Sequence, residues 1–179
     1  MYRIRFHGRG GQGMKTASRV LGTAFFREGF VVQDAPRYGA ERRGAPLFAY
    51  VRAARQPIFE RGVIRQPDLV VVADDSLVAV PAAGVLQGMA ARTVLLVNSS
   101  EPPEVWRQRL NLAGTLLALP AQASEGGLRG AGVACAGAAA RLVGVVSRGA
   151  LEQAVRQELA PLGSDTLARN LANALAAYD

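Results

Sequence analysis

The sequence predicts an α/β fold: a three-layer sandwich on a mostly parallel sheet, mixed strand directions allowed, with a Rossmann-like opening and a helical C-terminal third. Three observations point there. A glycine-rich turn stands between an alternating strand and an amphipathic helix. The runs Leu69 to Ala73 and Thr93 to Val97 are continuously apolar, the pattern of strands buried on both faces. Beyond about residue 125 the apolar spacing becomes helical.

The elements follow in order. Tyr2, Ile4 and Phe6 alternate with Arg3, Arg5 and His7, a strand of period two. Met14, Ala17, Val20, Leu21, Ala24 and Phe25 share a helical face that Gly29 ends, and Phe30 to Gln33 is a second strand. Residues 34–46 have no periodicity and are rich in Gly, Pro and Arg, a long loop of the kind that often carries function. Leu47 to Arg52 is a strand candidate and Pro57 to Phe59 a short edge segment. Ser76 to Met89 reads as a helix with Pro81 as a break or first-turn residue. Pro102 to Asn111 is a short helix and Thr115 to Leu119 a strand. Leu128 to Val143, Leu151 to Leu159 and Leu167 to Tyr178 are three further helices. No repeat or flexible linker interrupts this, so residues 1–179 read as a single domain, with an α/β core over 1–124 and a helical part over 125–179.

Composition narrows the function. Half of the 179 residues are hydrophobic, enough for a packed core. The single cysteine, Cys135, can build neither a disulfide framework nor an iron–sulfur ligand set, and its Ala/Gly neighbourhood reads as core. No apolar run is long enough for a membrane span or a signal peptide, so the expected location is cytoplasmic. Residues 1–65 carry a net charge of +9 and the remainder −2, within a total of +7. That puts a positive field on the N-terminal third, suited to phosphates or an acidic partner. A nucleic-acid reading would rest on charge alone, since no recognisable module and few stacking aromatics are present.

The motif carrying most chemistry is Gly8-Arg9-Gly10-Gly11-Gln12-Gly13. It fits G-x-G-x-x-G between strand and helix, where glycines allow a tight turn and helix N–H groups can hold a phosphate. Asp34, 21 residues past Gly13, stands where a ribose-binding acid would be expected in a stand-alone Rossmann-type NAD(P)-binding oxidoreductase. A P-loop is a near miss, because Met14 occupies the place of its lysine and Lys15-Thr16 come one residue late. The bland reading of the glycines is a tight crossover with close packing. Arg37, Glu41, Arg42 and Arg43 fall in the long loop as candidate ligand-gripping or interface residues, and Asn98 ends a strand at the same sheet edge. At Asp74-Asp75 the main reading is that Asp75 or Ser76 caps the following helix, with a carboxylate or magnesium pair as the other reading. His7, the sole histidine, reads as structural, and no nucleophile–base set is visible.

Arg5 to Gly13, followed by Tyr38-Gly39-Ala40-Glu41-Arg42-Arg43-Gly44-Ala45-Pro46, resembles the gamma subunit of the pyruvate/2-oxoacid:ferredoxin oxidoreductases. The likeness continues through Pro67-Asp68-Leu69-Val70, Asp74-Asp75 and Asn98-Ser99, strongly to about residue 100 and thinly as far as Asn170. The related indolepyruvate oxidoreductase beta subunit shares the glycine loop, but the Tyr38–Gly44 sequence favours the pyruvate or general 2-oxoacid branch. The resemblance implies an α/β subunit of an enzyme that oxidatively decarboxylates a 2-oxoacid to an acyl-CoA and passes electrons to ferredoxin. Thiamine diphosphate and iron–sulfur clusters would reside in partner subunits. This chain would be inactive alone, would dock on those partners and is a candidate to contact coenzyme A, through Gly8 to Gly13 and the Arg37–Gly44 loop.

Overall fold

The computed structural model describes residues 1–37, 45–112, 114–120 and 130–179. Among the described residues six strands form one sheet: β1 (Tyr2–Arg9), β2 (Val31–Arg37), β3 (Pro46–Ala54), β4 (Leu69–Val72), β5 (Val94–Ser99) and β6 (Thr115–Pro120). Their order is β2-β3-β1-β4-β5-β6. β3 runs antiparallel to both neighbours, while β1, β4, β5 and β6 are mutually parallel. The expected α/β sandwich is therefore present with a mixed sheet.

The helices are α1 (Met14–Arg27), α2 (Pro103–Leu110), α3 (Ala131–Val143), α4 (Arg148–Leu159) and α5 (Ser164–Tyr178). One face of the sheet packs on α1 and α3, with α4 and α5 joining the same apolar cluster. The other face, over β4 to β6, holds Val70, Val72, Leu95, Val97 and Leu116 against Trp106 of α2 and the apolar side chains of residues 77–85. β4 thus sends Leu69 and Val71 to one cluster and Val70 and Val72 to the other, which explains its unbroken apolar run. Helices of the C-terminal third share a core with β1, so the two parts of the chain meet in one apolar cluster.

Three expectations need correction. Ser76 to Met89 is not a helix but two single turns, Asp75–Leu77 and Pro81–Ala83. Pro81 and Gly84 divide the segment, so no run is long enough to nucleate an α-helix. Pro57 to Phe59 forms no strand. Residues 34–37 belong to β2 rather than to the loop. The opening is β–α–β in sequence, but β3 lies between β1 and β2, unlike a parallel Rossmann pair.

Candidate functional site

The glycine motif sits where expected, at the carboxyl end of β1 and the start of α1. Gly13 caps α1 in the left-handed region (φ 77°), which strongly favours glycine. A side chain at Gly8 would strike Met14, whose thioether fills the space beneath the turn. Gly10 donates its N–H to the Ala45 carbonyl at 3.2 Å, and Gly11 is exposed.

Gln12 is the inward residue of the loop, only 2% exposed. Its Oε1 accepts from the Arg9 N–H at 2.6 Å, and its Nε2 donates to Asp74 Oδ2 at 3.1 Å. Arg9 Nε donates to the same Asp74 oxygen at 2.9 Å, and Arg9 Nη2 donates to Ser76 Oγ at 2.9 Å. Asp74 also caps the turn that follows β4 by accepting from Ser76 N. Burial alone would raise the Asp74 carboxyl. Hydrogen bonds from Ser76 and Gln12, with the Arg9 charge beside it, instead hold it below its ordinary value. The unusual Gly11-Gln12 filling is thus an internal strut tying the β1 turn to the β4 turn. Asp74 is the joint, and it, rather than the expected Asp75 or Ser76, caps the short turn that stands where a helix was expected.

Two other predicted residues, Arg37 and Asn98, lie at strand ends on the same edge. Arg37 ends β2, opposite Phe48 of β3. Ala45 and Pro46 re-enter the sheet beside Gly10 and Arg9, so both ends of the Arg-rich loop lie at this sheet edge. Glu41, Arg42 and Arg43 lie outside the described residues. Asn98 donates to the Ala73 carbonyl at 3.1 Å, linking the ends of β4 and β5. Beside it, Ser99 Oγ donates to Asp75 Oδ2 at 2.6 Å and accepts from Trp106 Nε1 at 3.1 Å.

Asp34 is elsewhere. In β2 it lies against Gly22, halfway along α1, and Ser18 hydrogen-bonds to it. Burial, opposed by Ser18 and Arg19, raises its carboxyl. The inserted β3 has moved β2 one strand further from the glycine turn, so Asp34 does not occupy the place of a ribose-binding acid.

Two participants were not found by sequence reasoning. Gly132 in α3 lets the helix touch the loop: a Cβ there would lie 2.6 Å from the Gln12 carbonyl oxygen. Only topology, not local sequence, signals that contact. Asp74 was noticed as half of an acidic pair but not as the cap, and its bond to Arg9, 65 residues away, required knowing that β1 and β4 are parallel neighbours.

Chemically, the edge offers a polar turn whose own side chains are largely committed to holding its shape. The first turn of α1 has no side-chain cap and no acidic residue, and Lys15 there is exposed. That end of the helix is compatible with an anion. Cys135 is fully buried in α3, and burial pushes its thiol up to about 12. Among the described residues, no three His, Cys, Asp or Glu side chains converge as a metal site, and no helix is long and apolar enough to cross a membrane.

A model of the family described as pyruvate ferredoxin/flavodoxin oxidoreductase matches residues 3–179. The chain is 37% identical over 160 residues to the pyruvate/ketoisovalerate oxidoreductases common subunit gamma of Pyrococcus furiosus, spanning 87% of this chain and 85% of that one. It is 45% identical over 100 residues to pyruvate synthase subunit PorC of Methanothermobacter marburgensis, spanning 56% and 55% of the two chains. Among solved structures, pyruvate oxidoreductase subunit PORC of Thermotoga maritima matches with a TM-score of 0.80 at 30% identity, covering 99% of this chain and 94% of that one. The 2-oxoglutarate:ferredoxin oxidoreductase of Magnetococcus marinus, solved with 2-oxoglutarate, coenzyme A and succinyl-CoA bound, matches with a TM-score of 0.72 at 20% identity. It covers 99% of this chain and 31% of that one, a likeness of fold.

Proposed function

Because the chain belongs to the pyruvate ferredoxin/flavodoxin oxidoreductase family, we propose that it serves as the gamma subunit of a multi-subunit 2-oxoacid:ferredoxin oxidoreductase. The observation that carries this reading is the family match from residue 3 to residue 179, together with the likeness to a PORC subunit over almost the whole of both chains. The residues agree. The only histidine is a buried strut and the only thiol is sealed in a helix, so neither is placed as a solvent-facing base or nucleophile. One cysteine cannot ligate an iron–sulfur cluster, so electron carriers belong to partner subunits. Thiamine diphosphate, held by a partner, supplies the chemistry that cleaves the 2-oxoacid. This chain binds and orients: it docks on the thiamine-diphosphate-binding and iron–sulfur subunits.

Coenzyme A is the small ligand we assign to the glycine edge. The uncapped start of α1, which follows Gly13, suits a phosphate, while the Arg9, Gly10 and Gln12 N–H groups are already bonded and hold the turn's shape. The Arg-rich loop, with Arg37, Arg42, Arg43 and Glu41, leaves β2 at the same sheet edge and returns beside the turn at Ala45, and its arginines supply the charge. The strut from Gln12 and Arg9 to Asp74 keeps the turn rigid, and Asn98 braces the neighbouring strand end.

Calorimetric titration of the purified chain with coenzyme A, with NAD as control, tests this assignment. The expected result is coenzyme A binding that weakens with added salt and with Arg42→Ala, and no heat with NAD. NAD binding without coenzyme A binding would reverse the assignment.

A further inference from the structure

A cavity lies on the sheet face opposite α1, along the strand that leads into the glycine turn. Its volume is about 540 Å³, and its walls include Arg5, His7, Phe48, Tyr50, Arg65 and Gln87. Arg5 and His7 stand two residues apart on the same face of β1, opposite Tyr50 and Phe48 of β3, and are only 4% and 2% exposed. Arg5 donates Nη2 to the Val85 carbonyl at 2.8 Å and Nη1 to the Ile64 carbonyl at 3.4 Å. Its Nε has no partner, and among the described residues no carboxylate pairs with it. Glu60, the nearby acid, is taken by Arg3 and Arg52.

His7 is polarised the opposite way. Its Nδ1 faces the Ala83 carbonyl at 3.1 Å. A carbonyl only accepts, so in the neutral ring Nδ1 carries the proton and Nε2 is a bare acceptor. That Nε2 also has no partner. Arg5 and His7 both line the cavity, and each carries one buried polar atom without a partner, a donor on the guanidinium and an acceptor on the imidazole. A buried charge without a counter-ion and a buried acceptor without a donor are both costly. Exposed Arg65 adds a second cation to the lining. The ligand that answers all of these has negative oxygens and an O–H of its own.

We propose that this cavity binds a small oxyanion bearing its own proton donor, with hydrogen phosphate as the simplest example. Its negative oxygens lie against the Arg5 guanidinium and its O–H is donated to Nε2 of His7. The assignment uses none of the residues given to coenzyme A and stands apart from the role in a complex.

The test uses the full chain, whose single histidine gives one imidazole nitrogen pattern by NMR. Inorganic phosphate and sulfate are titrated at equal ionic strength and neutral pH. Sulfate has a similar shape and charge but no proton to donate, and both salts share any general stabilisation by exclusion. The expected result is a saturable shift of the His7 Nε2 signal with phosphate, at least about tenfold weaker binding of sulfate, and loss of the phosphate shift in Arg5→Met. Equal binding of the two anions would overturn the proposal, as would an unmoved His7 signal or an undiminished response in Arg5→Met. The phosphate–sulfate contrast needs no variant, so the proposal remains testable even where Arg5→Met does not fold.

Discussion

Phe6 and His7 are neighbours in one strand and occupy opposite kinds of interior. Phe6 points toward α1 and α3, where Ile4, Phe25, Val51 and Ala-rich helical surface close around it. His7 points to the other side, where Arg5, Arg52 and Tyr50 are also buried. There the covering chain is not helical. Segments near residues 62–64 and 83–85 offer main-chain carbonyls to Arg52, Arg5 and His7. The first face is held by apolar area and close packing. The second is held by hydrogen bonds between buried donors and irregular backbone, with two polar atoms of Arg5 and His7 left over. Burial by itself therefore does not mark a core: the same strand seals one face and builds a cavity on the other.

The apolar side should show the largest response. Phe6→Ala removes a fully buried ring and should cost about 3–5 kcal/mol, read from urea unfolding at neutral pH. A loss below about 1 kcal/mol would mean that this face is loosely packed.

The polar side should respond to pH instead. Burial, with the Arg5 charge adding, pushes the His7 imidazole down to about 3. A folded-state value below the unfolded one gives stability that is complete above the unfolded value and fades as pH falls toward the folded one. The expected loss between pH 7 and pH 4 is on the order of 3 kcal/mol from this group. It should vanish in His7→Gln when the two pH profiles are compared; parallel profiles would show that His7 is not the source.

At the loop edge the effect is smaller. Gln12→Ala removes the strut between Arg9 and Asp74 and should cost about 1–3 kcal/mol. Hydrogen exchange at Arg9 should accelerate alongside it, whereas unchanged protection would mean that the turn holds without the glutamine.

The smallest response is expected at Cys135. A buried thiol pushed up to about 12 should react with a thiol reagent at least about a thousandfold more slowly in the native chain than in the unfolded one. Rapid native labelling would contradict the packing of α3.

Some of this contrast was legible in the sequence. The alternation from Tyr2 to His7 announces β1, and the run from Leu69 announces β4 as a strand buried on both sides. The glycine motif falls at the strand–helix junction it predicts. The alternation puts Arg5 and His7 on the strand face opposite Ile4 and Phe6 but does not say what covers that face, and that is where local reading stops. Their burial depends on coil arriving from residues 62–64 and 83–85, and on β3 inserting beside β1. The same insertion moved Asp34 away from the glycine turn, a shift that spacing along the chain could not reveal. At residues 76–89 helical spacing was outweighed by Pro81 and Gly84. The bond between Arg9 and Asp74 became visible only when the strand order was known.

The central claim is that this chain acts as one subunit of a 2-oxoacid oxidoreductase. The most direct measurement is reconstitution: the proposed thiamine-diphosphate-binding and iron–sulfur partner subunits from the same organism are purified with and without this chain. Coelution and 2-oxoacid- and coenzyme-A-dependent reduction of an artificial acceptor are then followed. The account predicts that the chain coelutes with those subunits, that activity falls at least about tenfold without it, and that it has none alone. Full activity in its absence, with no coelution, would contradict the account.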